Sequence, residues 1–250
     1  MAATNQHYIY GIHAVLAAIK NHPENVINIF LINERKDRRA QEIITLANEH
    51  NIIVQTVHKK KLVGVAAEEN HQGVIALIKN TPVLTESDLF NIISKQKNKS
   101  FLLVLDSIQD PHNLGACLRS AEAAGVHAVI ATRNNSASLT AVARKVASGA
   151  AENIPFIQVT NLAVILKKIK ELGVWVVGAD VSAEKTIFNF DFTGPIAIVM
   201  GAEEKGMRHL TRELCDHLVN IPMFGQVTSL NVSVATGIFL YLALQQRIGY

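Results

Sequence analysis

Three segments in the second half of the chain carry the polar side chains that are best placed for chemistry. They are Asp110 to Arg119, Gly201 to Met207 and Ile221 to Gly237. In the first of them, Asn113 would lie at the start of a helix and Arg119 would emerge about two turns further on. Taken singly, each also has a structural interpretation, since Asn113 can cap a helix and Arg119 can be a surface cation. Their value as candidates depends on the elements that position them.

Each of the three segments that carry these residues comes directly after a predicted strand. The first reads D-P-H-N-L-G-A-C-L-R, the second G-A-E-E-K-G-M, and the third leads from I-P-M-F-G into a long apolar stretch. Open α/β sheets bind ligands at the carboxyl ends of their strands. We therefore expect a ligand site at the sheet edge where these segments begin.

Strands and helices alternate from Phe101 onward, which predicts a mostly parallel sheet with helices on both faces. The strand 101–106 is apolar on both faces, as expected at the centre of such a sheet. The other predicted strands are 126–131, 156–159, 174–179, 196–200 and 217–221. Predicted helices cover 114–124, 138–147, 162–172 and 232–244. Ser229 or Asn231 is suited to cap the last of these helices.

Residues 1–80 are predicted to form a smaller α/β domain, joined by a linker at 81–99 to a larger domain at 100–250. The polar linker is expected to contain a short helix. Apolar periodicity predicts helices at about 9–19 and up to about 49, with strands at 26–32, 52–57 and 74–78. Several basic side chains of this domain suit phosphate oxygens, although each cluster alone is typical of a solvated surface. They are Arg35, Lys36, Arg38, Arg39 and Lys59 to Lys61.

Composition and absent motifs exclude several classes of protein. The 250 residues are 49% hydrophobic, and the net charge of +3 is compatible with a nucleic-acid partner without proving one. Cys117 and Cys215 lack metal-ligand spacing, so we expect no metal and a reducing cytoplasmic environment. No apolar run is long enough to predict a membrane span. The absence of G-x-G-x-x-G, G-x-x-x-x-G-K-[ST] and G-x-S-x-G disfavours dinucleotide enzymes, NTPases and α/β-hydrolases.

Together the three segments resemble the ordered motifs of the SpoU class of RNA ribose methyltransferases. The matching stretches are N-L-G-A-C-L-R-S-A, I-V-M-G-A-E-E-K-G-M and I-P-M-F-G-Q-V-T-S-L-N-V-S-V-A. The class belongs to the SPOUT superfamily, so the resemblance implies a catalytic domain with a trefoil knot near its C-terminus. Y-G-I-H-A-V and H-Q-G-V-I-A resemble a substrate-binding domain similar to ribosomal protein L30e. The fold class is therefore expected to be α/β, an L30e-like domain followed by a SPOUT domain.

The resemblance implies S-adenosylmethionine as the methyl donor and a ribose 2'-hydroxyl as the acceptor. It assigns cofactor binding to Gly201, Ile221 and Leu230. It assigns the catalytic cluster to Asn113, Arg119, Glu203, Ser229 and Asn231. Within the class, it points to members that methylate a guanosine in the peptidyl-transferase P-loop of 23S rRNA, so 23S rRNA is the expected partner.

The role of Arg119 stays open between two accounts. The class is associated with activation of the hydroxyl by this arginine, but a guanidinium with a pKa above roughly 12 is a poor general base. We favour an Arg119 that binds the adjacent phosphate and stabilises developing alkoxide charge.

Two other functions and one assembly are also considered. The same motifs occur in tRNA ribose methyltransferases, and a non-catalytic RNA-binding assembly factor could use the same fold. Intact motifs argue against the second of these. The helix 232–244 has almost no polar face, so we expect a homodimer that covers it.

Overall fold

The computed structural model describes residues 6–33, 35, 37–58, 71–79, 84–203 and 205–249. Lys36 and Lys59 to Lys61, which were predicted to suit phosphate oxygens, lie outside these residues. The described strands form two sheets, one of four strands and one of seven.

The N-terminal sheet has the order β1-β4-β2-β3, with β2 parallel to β3 and the other neighbours antiparallel. Its elements are β1 (Gln6–Tyr10), α1 (Ile12–Asn21), β2 (Val26–Ile32), α2 (Arg38–Glu49), β3 (Ile53–Val57) and β4 (Val74–Lys79). The strand β1 was missed, because Tyr10 and Ile12 read as one helical pattern. Gly11 separates the two elements with a φ of 91°, a conformation that suits glycine.

The second sheet is parallel throughout, as predicted, in the order β7-β6-β5-β10-β8-β11-β9. The strands are β5 (Phe101–Asp106), β6 (Ala128–Thr132), β7 (Phe156–Val159), β8 (Trp175–Ala179), β9 (Lys185–Thr186), β10 (Ile196–Gly201) and β11 (His217–Asn220). All six residues of β5 are buried, so this strand is central.

Six helices of this sheet's domain carry the chain between strands or past the last one. They are α4 (Pro111–Ala123), α5 (Ala141–Ala147), α6 (Ala150–Asn153), α7 (Leu162–Glu171), α8 (His209–Leu214) and α9 (Val232–Ile248). The observed helix ends differ from the predicted ones by a few residues where a side chain caps the helix. For example, α5 begins after Thr140, whose hydroxyl accepts a hydrogen bond from the Ala143 N–H.

The segment predicted as a linker contains a packed helix, α3 (Glu86–Gln96), rather than only a connector. Leu89 and Ile93 are buried in the core beneath the second sheet. A capping box fixes the start of the helix, because Thr85 and Asp88 exchange hydrogen bonds with each other's backbone N–H. A short helix was predicted in this segment, but the polar composition did not show that its one apolar face packs into the core.

The N-terminal domain contacts the second domain through α1 and α6. The Asn21 side chain donates a hydrogen bond to Asn153 at 2.6 Å. Gly149, just before α6, adopts a φ of 95°, and a Cβ there would lie within 3.0 Å of the Ala17 Cβ. Glycine thus permits the close approach of the two domains at this point.

The register of the second sheet sets up one edge for chemistry. In the parallel pair β5–β10, Gly201 is the partner of Asp106. Both residues end their strands, so the chain segments 107–113 and 202–208 leave the sheet side by side.

Candidate active site

Three of the five predicted catalytic residues form one hydrogen-bonded cluster. The Asn113 amide donates to the Glu203 carboxylate. The Asn231 amide donates to the Asn113 side-chain oxygen at 3.1 Å. These contacts join residues from all three motifs, which lie 90 and 118 positions apart in the chain.

Asn231 also starts the C-terminal helix. Its side-chain oxygen accepts hydrogen bonds from the Ser233 N–H at 2.9 Å and from the Ser233 hydroxyl at 2.6 Å. Of the two predicted caps, Asn231 therefore fills the position. The Asn231 side chain thus links the start of α9 to Asn113, so a movement of α9 would displace the cluster of Asn113, Glu203 and Asn231.

Asn113 is positioned by close packing of α4 against α5. A Cβ on Gly115 would lie within 3.0 Å of the Ala143 carbonyl oxygen and the Val146 Cβ. The N-terminal turn of α4 is capped by Asp110, which accepts from the His112 N–H at 2.8 Å. Asn113 thus points from the first turn of the helix toward Glu203, and it is not itself the cap.

The second motif forms a tight loop after β10. Ala202 and Gly206 exchange backbone hydrogen bonds of 3.0 and 2.8 Å. A Cβ on Gly201 would lie within 3.0 Å of backbone atoms of Gly206 and Met207. The fold therefore needs glycine at position 201, because the loop closes directly onto it.

An apolar cavity of about 540 Å³ lies beneath this loop. Gly201, Ile221 and Leu230 all line it, so the three residues assigned to cofactor binding lie around one cavity. Its other apolar lining residues include Met200, Met207, Val219, Met223 and Phe239. Ser229 lines this cavity and, within the described part of the chain, makes no hydrogen bond to Asn113, Glu203 or Asn231.

Two charged residues lie at the rim of the apolar cavity. The Asp180 carboxylate accepts from Arg212 Nε at 2.6 Å and from the Ser182 hydroxyl at 2.6 Å. Partial burial raises the pKa of Asp180, but the hydrogen bonds from Ser182 and Arg212 outweigh it and leave the pKa below its usual value. Asp180 is therefore a carboxylate at neutral pH.

A larger polar cleft of about 1080 Å³ lies on the other side of the loop. Its lining includes Asn113, Glu203 and Asn231 together with Lys205, Arg208 and His209. Glu203 lines both spaces, and so do Ala202 and Lys205. A molecule in the apolar cavity and another in the polar cleft would therefore meet at the Glu203 loop.

Arg119 is not brought to the cluster within the chain. It lies exposed on α4 and lines neither the apolar cavity nor the polar cleft. Among the residues that the structure describes, it has no ion-pair or hydrogen-bond partner. The side chain is thus available to a group outside the described chain.

Sequence reasoning missed an ion pair that fixes the second motif. Asp106 is completely buried at the end of β5, and it accepts from Arg208 Nε at 2.7 Å and from the Arg208 N–H at 2.9 Å. The one available signal was an acidic residue at the end of an otherwise apolar strand. Its partner lies 102 positions away in the chain, so the sequence could not predict that the two residues pair.

The thiol nearest the cluster has a structural role. Cys117 is buried against α9, where its Sγ lies 3.5 Å from the Thr236 hydroxyl. Burial raises the pKa of Cys117 to about 11, so the group is a neutral thiol rather than a nucleophile. Within the described ranges, no group of three or more His, Cys, Asp or Glu side chains could hold a metal ion. No helix in those ranges is long and apolar enough to cross a membrane.

Comparison with known proteins gives matches over nearly the whole chain. The model of the SpoU rRNA Methylase family matches residues 100–241, and a model for RNA 2'-O ribose methyltransferase substrate binding matches residues 8–83. The 23S rRNA (guanosine-2'-O-)-methyltransferase RlmB of Shewanella oneidensis is 49% identical over 242 residues, covering 97% of this chain and 98% of the relative. The protein of the same name from Escherichia coli is 48% identical over 239 residues, covering 96% and 98%.

Solved structures agree on the fold. The SpoU methyltransferase AviRb from Streptomyces viridochromogenes, in complex with AdoMet, has a TM-score of 0.80 at 23% identity, covering 98% of this chain and 91% of that one. An rRNA methyltransferase from Sinorhizobium meliloti, also with AdoMet bound, has a TM-score of 0.78 at 21% identity, covering 96% and 87%. With the family model covering more than half of the residues and relatives at 49% identity, the chain belongs to the SpoU rRNA methylase family.

Proposed function

We propose that this protein transfers the methyl group of S-adenosylmethionine to the ribose 2'-hydroxyl of a guanosine in 23S rRNA. The observation that carries the proposal is the shared wall at Glu203. An apolar cavity suited to a nucleoside that carries a sulfonium side chain and a polar cleft suited to a ribose adjoin there. Full-length relatives that are 49% identical bear the name of this activity.

The residues of the apolar cavity fit S-adenosylmethionine. A volume of about 540 Å³ is in the range of small-molecule sites, and apolar walls with polar groups at the rim suit an adenine ring and its ribose. Gly201, Ile221 and Leu230 would hold the cofactor, and the missing side chain at position 201 keeps the loop closed against the cavity. When bound, the cofactor would supply a methyl group from its sulfonium, and the demethylated cofactor would be left as a neutral thioether.

The work left to the protein is orientation and charge. Holding the acceptor oxygen in line with the methyl carbon is worth up to roughly 7–11 kcal/mol. Asn113 and Asn231, held by each other and by Glu203, would position the ribose in the polar cleft. Arg119 would bind the adjacent phosphate and stabilise the oxygen as it loses its proton.

We further propose that the working protein is a homodimer in which Arg119 acts in the partner's site. In the described part of the chain, Arg119 lines neither the apolar cavity nor the polar cleft, and it needs an acceptor oxygen to act upon. The apolar residues Val234, Ile238 and Tyr241 of α9 are 51%, 37% and 52% exposed, which leaves an apolar face for a second copy. The helices α4 and α9 pack together, so one interface would involve both.

One experiment tests the proposed activity. The purified protein is incubated with S-adenosylmethionine and unmodified 23S rRNA, and 2'-O-methyl groups are mapped by primer extension at low nucleotide concentration. We expect one guanosine of the peptidyl-transferase region to be modified. A parallel reaction with total tRNA addresses the main alternative, and methylation of tRNA alone would overturn the assignment of 23S rRNA. Turnover of neither RNA, with cofactor bound, would favour the assembly-factor reading.

A further inference from the structure

The polar cleft contains a cationic group that the motifs do not assign. Arg208 lies between the second motif and α8, and its side chain lines the cleft beside Lys205 and His209. The side chain is 53% exposed, although it makes an ion pair with the fully buried Asp106. Nε of this arginine is therefore held by a buried carboxylate, while about half of the side chain is open to solvent.

We infer that Arg208 binds a phosphate group of the RNA substrate in the polar cleft, next to the ribose that is methylated. This inference rests on the proposed function, which supplies the RNA. The site is distinct from the Asn113, Glu203 and Asn231 cluster, which contacts the ribose in that proposal.

The geometry of the guanidinium supports a second ligand. Nε donates to Asp106 at 2.7 Å, and the Arg208 N–H donates to the other oxygen of the same carboxylate at 2.9 Å. Within the described part of the chain, the two terminal nitrogens of Arg208 have no hydrogen-bond partner. A guanidinium can offer these two nitrogens to two phosphate oxygens in a planar, bidentate arrangement.

Asp106 makes the arginine a pre-positioned group rather than a mobile surface cation. Its carboxylate is fully buried, and the hydroxyl of Ser107 donates to it as well, at 3.2 Å. A carboxylate buried in this way needs its cation, so the pair is held at the end of β5. An arginine held at Nε loses less side-chain freedom when it binds a phosphate, which favours binding.

Donor side chains line the cleft at this end. Lys205, Arg208 and His209 are consecutive or nearly so, and all three line the cleft. His209 faces the Glu213 carboxylate, with 3.6 Å between Nδ1 and Oε2. Two carboxylates line the cleft too, and each accepts a hydrogen bond, Glu203 from Asn113 and Asp110 from the His112 N–H. The pair of Arg208 with Asp106 is neutral overall, but the terminal nitrogens of Arg208 remain donors for a phosphate.

The test measures RNA affinity across a salt series by filter binding, with S-adenosylhomocysteine present. We expect Arg208→Ala to weaken binding of the rRNA fragment about tenfold and to reduce the slope of log K against log salt by about one. Cofactor affinity is expected to stay within twofold. Lys167→Ala removes one positive charge from the exposed face of α7, outside the cleft, and serves as the matched control with unchanged affinity and slope.

Asp106→Asn tests whether RNA binding depends on the fixed position of Arg208 as well as on its charge. This variant keeps the arginine but loses the ion pair, so we expect weaker RNA binding with an unchanged salt slope. If Arg208→Ala does not fold because Asp106 is left unpaired, the double variant Asp106→Asn/Arg208→Gln gives the same readout without a buried charge.

An RNA affinity within twofold of the unmodified protein, with the same salt slope, would overturn the inference. So would an equal loss of RNA and cofactor affinity in Arg208→Ala, because that pattern indicates a collapsed loop. Because the readout is binding, a failure of methyl transfer by the unmodified protein counts against the proposed function alone.

Discussion

Replacing Gly201 with alanine tests whether close packing of the second motif loop forms the cofactor cavity. The added Cβ would lie within 3.0 Å of backbone atoms of Gly206 and Met207. Backbone cannot rotate away as a flexible side chain can, and Ala202 and Gly206 are tied together by two hydrogen bonds. The loop must therefore shift as a unit, away from the apolar cavity that Gly201 lines.

The magnitude follows from the usual cost of overpacking, which is about 1–3 kcal/mol. At 1.4 kcal/mol for each tenfold change, displacement of the loop is expected to weaken S-adenosylmethionine binding by roughly 5- to 150-fold. The same cost is expected to lower Tm by roughly 2–12 °C, at about 2–4 °C per kcal/mol for a domain of this size. Isothermal titration calorimetry measures the first change and differential scanning calorimetry the second.

Gly225→Ala is the matched control. Gly225 lies in the third motif, close in sequence to the cavity-lining Met223, and a Cβ there would meet nothing within 4 Å. We expect its effect on stability to stay within about 0.5 kcal/mol. If Gly201→Ala binds the cofactor and melts as Gly225→Ala does, the close approach does not shape the cavity and the reasoning is wrong.

Three further predictions concern the acceptor side, the dimer and the pH dependence. Arg119→Ala is expected to abolish methyl transfer while cofactor affinity, measured by calorimetry, stays within about tenfold; retained turnover would contradict its role. Tyr241→Glu is expected to shift the sedimentation coefficient toward that of a monomer and to reduce activity at the same time. A stable, active dimer of this variant would argue against the α9 interface. Phe239 is unsuitable for this test because it is 1% exposed within its own domain. His127 accepts from the Phe101 N–H at 3.0 Å, and burial, with a smaller effect of Arg247, lowers its pKa. The unfolded chain then binds the proton more tightly, so the free energy of unfolding should fall as pH drops below about 6.5, and His127→Asn, which keeps an acceptor, should reduce this fall in urea titrations.

Most strands of the second domain could be predicted from the sequence, because they are short apolar runs whose residues are mostly buried. Runs such as Phe101–Asp106 and Phe156–Val159 coincide with the observed strands. The failures have local causes. β1 was absorbed into the pattern of α1. The short helix expected in the polar segment is present as α3, but its packing was not predicted, because Leu89 and Ile93 are its only buried residues.

The candidate site was readable only in part, since its contacts span long distances in the chain. The family motifs named Asn113, Glu203 and Asn231, and these side chains do meet. Asp106 stood out as an acidic residue at the end of an apolar strand, but its pairing with Arg208 could not be predicted, because the two residues lie 102 positions apart. Arg119 lies apart from the cluster within one chain, and the motif that names it does not predict this separation.

The order of the strands explains why these particular segments meet, and alternation alone could not predict that order. β10 is far from β5 in the chain, yet it pairs directly with β5 along six residues. The segments after β5 and β10 therefore leave the sheet as neighbours, which places Glu203 against Asn113. A sheet that followed chain order would put β6, β7, β8 and β9 between β5 and β10, and their ends would lie far apart. Asn231 then joins from the loop after β11, which is separated from β5 by β8 and β10, so the chain must return past both strands to bring Asn231 to Asn113. The site thus depends on one crossover, β9 to β10, and on the return of the chain to α9, rather than on any single motif.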